Sequence, residues 1–378
     1  MPVPNHEEFS PVMSRAARNQ SKRSVGLSVF VAITWSIFGS LTYLAAQTAS
    51  TLEPGPKPED VPARWKPWIG EYRGSSRSAP SVTVYVVSER DGYMEILDRT
   101  NRPDGVHYEN AEKFPVKGSS PSAHGLRTGR SGQRQLVSGH DVNGKISPDF
   151  DARAQVSIAP VQPVEELRKR ALADSPPQEN GPFRKPALVE LTTLDPAIHL
   201  DIRYATANDF LGTPVYTEAR AFLQRPAAEA LVRALAKLQP LGYGLLIHDA
   251  YRPWYVTKIF WDATPPEGKI FVADPAEGSR HNRGCAVDLT LYDRRTRNPI
   301  EMPGTYDEMS PRSFPDYPGG TSLERWHRDL LRRAMESEGF TVYEHEWWHF
   351  DYKDWRQYPI LNIKFEDLHS GQGLAASQ

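Results

Sequence analysis

The sequence predicts an α+β fold, because helical and strand patterns both recur in the C-terminal half of the chain. Residues 226–238 and 323–338 repeat apolar side chains at helical spacing. Residues 242–249 are a short apolar run bounded at its start by glycines, which is typical of a buried strand. Further strands are predicted around residues 286 and 342. Together the three strands would form one sheet.

The N-terminus combines a basic region with a hydrophobic one. Four basic side chains between residues 15 and 23 precede a mostly apolar run over residues 25–46. That run, about 22 residues long, is sufficient to span a bilayer, and its Ser, Thr and Gly content also fits a cleaved signal peptide. Residues 1–46 are therefore predicted to be a signal peptide or a signal anchor. Either predicts export, with the protein periplasmic or anchored to the inner membrane and facing the periplasm.

Residues 64–160 are predicted to form a small antiparallel β domain of unknown role. The pairs Asp91-Gly92 and Asn143-Gly144 are typical of hairpin turns. Its strands are predicted in short runs separated by turn residues, at 65–74, 81–87, 93–97, 135–138 and 155–158.

The segments that flank this β domain differ in composition. Residues 47–63 are Pro-rich and predict a stalk. Residues 161–185 contain a short charged helix at 164–173, followed by a linker of turn-forming residues. Residues 186–367 contain the helices and strands of the α+β region, and residues 368–378 are a tail.

The overall composition excludes some classes of partner. The 378 residues are 39% hydrophobic and 24% charged and carry a net charge of −2, which is ordinary globular composition with room for two domains. This charge gives no basis for binding nucleic acid. Because Cys285 is the single cysteine, no intrachain disulfide can form, and the cysteine count fits any compartment.

Three motifs supply the residues of a metallopeptidase. A hydrolytic zinc ion needs three nitrogen or oxygen ligands and one open position, and His281, Asp288 and His349 provide the three ligands without a thiolate. The motifs are Asp-Ala-Tyr-Arg-Pro at 249–253, Ser-Arg-His-Asn-Arg-Gly-Cys-Ala-Val-Asp at 279–288 and Glu-Trp-Trp-His at 346–349.

The local patterns place these residues where one ion can reach them. Asp288 is the only carboxylate on its face of the predicted strand, since side chains alternate between faces with a period of two. His281 lies in the preceding turn, where Gly284 lets the chain bend back. Glu346, three residues before a ligand, is left to act as the general base. Arg252 follows the end of a strand and can stabilise an oxyanion, although it can also form a salt bridge with Asp249.

A competing interpretation uses the sequence His345-Glu-Trp-Trp-His349. In a His-Glu-x-x-His motif, a helix presents two zinc ligands four residues apart. However, residues 339–352 are dense in aromatic and β-branched side chains, lack an N-cap before the motif and begin with a glycine. This composition predicts a strand, and the role of His345 stays open.

The motifs resemble the zinc D-Ala-D-Ala dipeptidase family, the VanX-like branch of the DD-peptidase/hedgehog-like fold, over residues 186–367. Residues 201–206 and 208–212 resemble that family's N-terminal signature. The resemblance implies one zinc ion per catalytic domain, held by His281, Asp288 and His349, with Glu346 as general base and Arg252 on the oxyanion. It also implies that Ser279 and Asp307 hold the two ends of the dipeptide, although Asp307 taken alone is more typical of a turn cap.

The expected function is hydrolysis of D-alanyl-D-alanine or a related D,D-dipeptide in cell-wall peptide turnover. One alternative is a D,D-carboxypeptidase acting on peptidoglycan stem peptides. Another, from a different class, is a non-catalytic wall-binding module. The expected partners are a small D,D-dipeptide and, in the alternatives, peptidoglycan, with membrane contact only through the N-terminal segment. The exact dipeptide, the oligomeric state and the choice between salvage and antibiotic resistance stay open.

Overall fold

The computed structural model describes residues 52–75, 82–102, 105–138, 141–147 and 157–368. The predicted signal segment 1–46 and residues 369–378 of the predicted tail lie outside these ranges. Within them, no helix has both the length and the apolar character needed to cross a membrane. The described residues belong to one compact unit.

The N-terminal part is an antiparallel sheet of seven described strands in the order β4-β3-β2-β1-β7-β6-β5. The long strands pair as neighbours in sequence, from β1 to β4. The strands are β1 (Gly70–Ser75), β2 (Val82–Arg90), β3 (Tyr93–Arg102), β4 (Gly105–Pro115), β5 (Leu126–Thr128), β6 (Arg134–Ser138) and β7 (Asp141–Lys145).

One predicted hairpin turn is confirmed and the other is wrong. Asp91 and Gly92 connect β2 to β3 with φ of 52° and 81°, the left-handed backbone that such a turn requires. Asn143 and Gly144 instead lie inside β7. There Nδ2 of the buried Asn143 donates to the carbonyl of Leu136 at 3.3 Å. Asn143 and Gly144 are therefore part of the sheet and do not form a turn.

The strand prediction also failed at residues 155–158, of which 157 and 158 are described and have no strand structure. Besides β7, whose residues were predicted to form a turn, the strands β4 and β5 of this sheet were not predicted. The sequence of β4, Gly-Val-His-Tyr-Glu-Asn-Ala-Glu-Lys-Phe-Pro, is mostly polar, because much of this strand is exposed to solvent. Alternation of apolar side chains therefore could not reveal it.

The two faces of the N-terminal sheet have different partners. One face closes a small core around Trp65, which includes Tyr72, Val87, Met94 and Phe114. The opposite face carries Val86 and Leu97, and these pack against Tyr317 from the C-terminal part of the chain. This second face is therefore an internal interface and not a free surface.

The C-terminal part confirms a mixture of helices with antiparallel strands. Its larger sheet has the order β13-β14-β12-β11-β9, and it contains the predicted strands around 244, 286 and 342. The strands here are β8 (Leu188–Glu190), β9 (His199–Leu200), β10 (Phe222–Gln224), β11 (Tyr243–Asp249), β12 (Ala286–Asp293), β13 (Phe340–Tyr343) and β14 (Glu346–Tyr352). The finer likeness to the DD-peptidase/hedgehog-like arrangement stays a prediction.

The three predicted helices are present as α1 (Val164–Ala173), α3 (Arg225–Leu238) and α5 (Ser322–Glu336), whereas the short α2 (Leu191–Leu194) and α4 (Trp254–Ala263) were not predicted. Helix α3 buries Leu231, Ala234 and Leu235, the apolar face expected from the spacing. Helix α5 begins with a capping box, in which Thr321 and Glu324 satisfy each other's backbone N–H groups.

The segments predicted as a stalk and a linker both contact the C-terminal part. Lys57 donates to the hydroxyl of Tyr243 at 2.6 Å, and the indole of Trp326 donates to the carbonyl of Gly55 at 3.0 Å. In the linker, Glu179 pairs with Arg283 at 2.5 Å. The domain boundaries themselves stay predictions.

Candidate active site

The three predicted metal ligands meet in the centre of the larger sheet. Asp288 on β12 lies opposite His349 on β14, and His281 occupies the short helical turn that precedes β12. The Nε2 atom of His281 is 3.0 Å from Nδ1 of His349 and 3.4 Å from Oδ1 of Asp288. Nδ1 of His349 is 3.0 Å from the same Oδ1. All three side chains are buried.

Gly284 allows His281 to reach this position. Its φ of 65° is left-handed, which ends the turn and directs the chain into β12. A Cβ at Gly284 would lie 2.5 Å from a methyl group of Leu188, so a side chain there would force Leu188 to move.

The cluster fits a zinc ion. A tetrahedral ion with bonds of about 2.0–2.1 Å separates its ligand atoms by about 3.3 Å, close to the three distances observed. Oδ1 of Asp288 is buried without a hydrogen-bond partner among the described residues, although burying a bare carboxylate oxygen is unfavourable. Two imidazoles and one carboxylate are ligands that zinc accepts, and three protein ligands leave a fourth position open.

Residues behind the ligands orient them. Nδ1 of His281 donates to the carbonyl of Ala250 at 2.7 Å, and Nε2 of His349 donates to Oδ1 of Asp351 at 3.0 Å. Each bond leaves the facing ring nitrogen free to bind a metal. The hydroxyl of Tyr306 donates to Oδ2 of Asp288 at 3.1 Å. Sequence reasoning missed both Asp351 and Tyr306, although Asp351 lies two residues after His349 on the same face of a strand.

Replacing Asp351 with alanine should weaken zinc binding by about 10–100-fold, since His349 then loses the acceptor that fixes its tautomer. Asp351→Asn keeps an acceptor oxygen and should retain most of the affinity. Competition with a chelator measures both. Equal zinc affinity in the wild type and Asp351→Ala would show that Asp351 does not orient the ligand.

Glu346 lies at the start of β14, beside the cluster. Its Oε2 is 3.7 Å from Nδ1 of His349. Burial, reinforced by the negative charge of Asp288, raises the pKa of the Glu346 carboxyl to about 7. A carboxyl group with a pKa near neutrality can both accept and return a proton at the operating pH.

The His-Glu-x-x-His sequence is not helical, so the competing interpretation is wrong. Glu344 and His345 form the turn of a β-hairpin between β13 and β14. The ring of His345 packs edge-on against Phe314 and Tyr343, with centroids 5.4 and 5.2 Å away. His345 therefore lies outside the metal cluster.

Arg252 forms the predicted salt bridge and also lines the site. Its Nε and Nη2 atoms donate to Oδ2 of Asp249 at 2.9 and 2.7 Å. The guanidinium lies over the rings of Tyr204 and Phe260. The hydroxyl of Tyr216 donates to Oδ1 of the same carboxylate at 2.6 Å. Asp249 and the two rings thus hold the guanidinium rigid.

Asp307 and Ser279 border the same space. Asp307 has a left-handed φ of 57°, and its carboxylate accepts from the hydroxyl of Tyr204 at 2.9 Å. Burial, together with the charges of Asp288 and Glu346, raises the pKa of Asp307 well above its usual range. A bound cation would relieve this repulsion. The turn itself is capped by Glu308, whose Oε2 accepts from the N–H of Thr305 at 3.0 Å.

Ser279 is held by the turn that carries His281. Its hydroxyl accepts from the backbone N–H of His281 at 3.2 Å, and its own N–H donates to Asn282 at 2.7 Å. The side chain lies beside the metal cluster and is largely buried.

The predicted metal ligands and the predicted catalytic and substrate-binding residues line one pocket of about 510 Å³. Its walls include the aromatic side chains of Tyr204, Phe260 and Trp348. Every predicted site residue lines it: Arg252, Ser279, His281, Asp288, Asp307, Glu346 and His349.

Comparison with known proteins assigns the family. Residues 184–367 match the family described as D-Ala-D-Ala dipeptidase. The D-alanyl-D-alanine dipeptidase of Escherichia coli K12 is 35% identical over 178 residues, which cover 47% of this chain and 91% of that protein. The chain belongs to the D-Ala-D-Ala dipeptidase family.

Other members of the family are similarly related. The D-alanyl-D-alanine dipeptidase of Enterococcus faecalis V583 is 35% identical over 193 residues, covering 46% of this chain and 95% of that protein. The one from Streptomyces coelicolor is 34% identical over 175 residues, covering 42% of this chain and 87% of that protein. The three alignments cover 87–95% of each relative, whereas the family match at 184–367 leaves the N-terminal sheet of this chain outside it.

Proposed function

We propose that this protein is a zinc-dependent dipeptidase that hydrolyses D-alanyl-D-alanine or a closely related D,D-dipeptide. The main support is that one pocket contains both the metal cluster and the groups that a peptidase needs. These groups are the Glu346 carboxyl with a pKa near 7, the fixed guanidinium of Arg252, and the polar side chains of Ser279 and Asp307. This combination suits cleavage of a peptide bond in a small zwitterion. The named activity of the relatives points to the same reaction.

We propose zinc as the metal, held by His281, Asp288 and His349. When bound, zinc would polarise the substrate carbonyl and make a water molecule acidic enough to act as a nucleophile at neutral pH.

Glu346 acts as the general base and then as the general acid. It accepts a proton as water attacks the carbonyl carbon, and it gives that proton to the amine nitrogen as the carbon–nitrogen bond breaks. One water is consumed, and two amino acids are released. The buried position of Glu346 keeps its pKa near 7, where both transfers are accessible.

Arg252 stabilises the negative oxygen that develops on the substrate. A guanidinium cannot lose its proton, and Asp249 and the two aromatic rings hold it in place before substrate arrives. A donor that is already oriented does not have to reorganise as charge develops.

The remaining two groups bind the ends of the zwitterion. Asp307 pairs with the substrate ammonium, which offsets the repulsion that this carboxylate experiences from Asp288 and Glu346. The hydroxyl of Ser279 donates to the substrate carboxylate. A longer peptide does not present a free ammonium and a free carboxylate at the spacing of a dipeptide, so these two groups would favour dipeptides.

N-acetyl-D-Ala-D-Ala should be cleaved at least about a hundredfold more slowly than free D-Ala-D-Ala. Blocking the amine removes the partner of a buried carboxylate, a penalty on the order of a few kcal/mol. Rates with the zinc-loaded protein measure the ratio. Asp307→Ala should reduce the ratio between the cleavage rates of the free and the acetylated dipeptide. L-Ala-L-Ala serves as the stereochemical control. Equal rates for the free and acetylated substrates would instead identify a D,D-carboxypeptidase.

We also propose that the enzyme is exported, on the basis of the basic and apolar segments within residues 1–46. In that location it would act on dipeptide released from the cell wall, which favours salvage over resistance. Mass spectrometry of the mature N-terminus from fractionated cells tests this. An intact N-terminus in the soluble cytoplasmic fraction would contradict it.

A further inference from the structure

The segment that carries Asp307 connects the active site to the N-terminal sheet. We call residues 302–320 the Asp307 loop; it runs from the region after β12 to the start of helix α5. The sheet, which lies outside the family match at 184–367, contacts the far end of this loop. None of the three active-site motifs, at 249–253, 279–288 and 346–349, includes a residue of this contact between the sheet and the loop.

Glu89 of β2 is the main polar contact. Its backbone N–H donates to the carbonyl of Gly320 at 3.0 Å, and its Oε2 accepts from the N–H of Ser322 at 2.8 Å. Its Oε1 accepts from the N–H of Gly92 at 2.7 Å. One buried carboxylate thus connects the β2–β3 turn to the first residue of α5. Its negative charge also interacts favourably with the positive N-terminal end of the helix dipole.

Arg325 completes this junction. Its Nη2 donates to the carbonyl of Glu89 at 2.7 Å, and its Nη1 contacts the carbonyls of Gly319 and Gly320, both at 3.0 Å. The planar fork of the guanidinium therefore holds the sheet and the end of the loop at the same time.

Tyr317 supplies the apolar contact. It is 2% exposed and packs on Val86 and Leu97. Its hydroxyl donates to Glu71 at 3.4 Å, and Glu71 also accepts from Arg99 at 3.1 Å. The loop is therefore attached to the sheet at two points, Tyr317 and Gly320.

Bonds inside the loop connect this attachment to Asp307. Nε of Arg312 donates to the carbonyl of Pro303 at 3.0 Å, and its Nη1 lies 3.5 Å from Oε1 of Glu308. Glu308 in turn caps the turn that holds Asp307 in its left-handed conformation. A Cβ at Gly304 would lie 2.6 Å from the carbonyl oxygen of Arg312, so the backbone on either side of Asp307 is closely packed.

We propose that the N-terminal sheet is a positioning element for substrate binding, which holds the Asp307 loop so that Asp307 faces the substrate ammonium. This rests on the proposed function for the identity of the substrate. Glu89, Arg325 and Tyr317 are positioning residues, because they act on the substrate only through Asp307. Substitutions at these residues should therefore change KM and leave the chemical step unchanged.

Glu89→Gln tests the inference with little change of shape. The amide nitrogen of glutamine cannot accept a hydrogen bond, so one of the two side-chain bonds to a backbone N–H is lost. KM for D-Ala-D-Ala should rise roughly threefold to tenfold, while kcat and zinc content stay within about twofold of the wild type. Glu109→Gln is the matched control, since Glu109 lies on the same sheet in an exposed pair with Arg102, and its KM should not change.

A double variant distinguishes positioning from general loosening. In the Asp307→Ala background, Glu89→Gln should cause no further rise in KM, because the group that it positions is already absent. An additional rise as large as in the wild type would overturn the inference. Should Glu89→Gln fail to fold, Arg325→Lys replaces it, since lysine keeps the charge but cannot span both partners.

Amide hydrogen exchange gives a readout that needs no substrate. Peptides covering residues 303–317 should exchange faster in Glu89→Gln than in the wild type, and Glu109→Gln should leave them unchanged. Unchanged exchange and unchanged KM in Glu89→Gln would overturn the inference. If the wild type fails to cleave D-Ala-D-Ala, the proposed function falls, whereas the exchange result still decides whether the sheet holds the loop.

Discussion

His349→Ala should lose both bound zinc and peptidase activity, and His281→Ala and Asp288→Ala should do the same. The three ligand atoms lie within 4.8 Å of one another, and a catalytic zinc site has no fourth protein ligand to compensate for a loss. Metal analysis after dialysis measures zinc content, and hydrolysis of D-Ala-D-Ala measures activity.

Two variants in the same hairpin serve as controls. Glu346→Ala should keep zinc and lose activity by about 10²–10⁴-fold, because in the proposed mechanism Glu346 moves protons and does not bind the metal. His345→Ala should keep both, since its ring packs on Phe314 and Tyr343 outside the cluster. Zinc retained in His349→Ala but lost in His345→Ala would show that the ligands are assigned incorrectly.

Arg252→Ala should lower kcat by about 10²–10³-fold, equivalent to roughly 3–4 kcal/mol, with zinc retained. The guanidinium is fixed before substrate arrives, so its hydrogen bond is most favourable when the substrate oxygen becomes negative. Steady-state kinetics separate this effect from binding. A raised KM with unchanged kcat would mean that Arg252 only binds the substrate.

The same substitution leaves the buried Asp249 without its cationic partner, so stability must be measured beside activity. Asp249 is 1% exposed, and an unpaired charge at such a position destabilises the fold. Arg220→Ala is a suitable control, because Arg220 pairs with Glu190 and Glu218 away from the pocket. It should leave kcat unchanged. If thermal unfolding shows that Arg252→Ala is folded at the assay temperature, the fall in kcat reports on catalysis.

Much of the fold and of the candidate site was predictable because its signals are local. The helical spacing of apolar residues predicted α3 and α5, and the glycine-bounded apolar run predicted β11. Strand composition, together with the absent N-cap, correctly placed Glu346 and His349 on a strand and not on a helix. These inferences depend on neighbours within a few residues along the chain, where backbone propensity and side-chain period act.

Other features were predicted wrongly or missed because they depend on contacts with residues that are not sequence neighbours. Asn143-Gly144 has the composition of a turn, but a bond from Asn143 to Leu136 and pairing on both sides place it within β7. Tyr306 and Asp351 were not recognised, because only the folded chain brings a loop tyrosine to Asp288 and an alternate strand position to His349.

By itself, the sequence determined the class of chemistry, since two histidines, an aspartate and a glutamate in these motifs suffice to predict a zinc peptidase. The tertiary structure decided which other groups support them. Only there do Asp249 and two aromatic rings fix Arg252, and only there does a sheet from the N-terminal half contact the loop that carries Asp307. The physical reason is that ligand type is a property of single residues, whereas orientation and burial arise from contacts between segments distant in the chain.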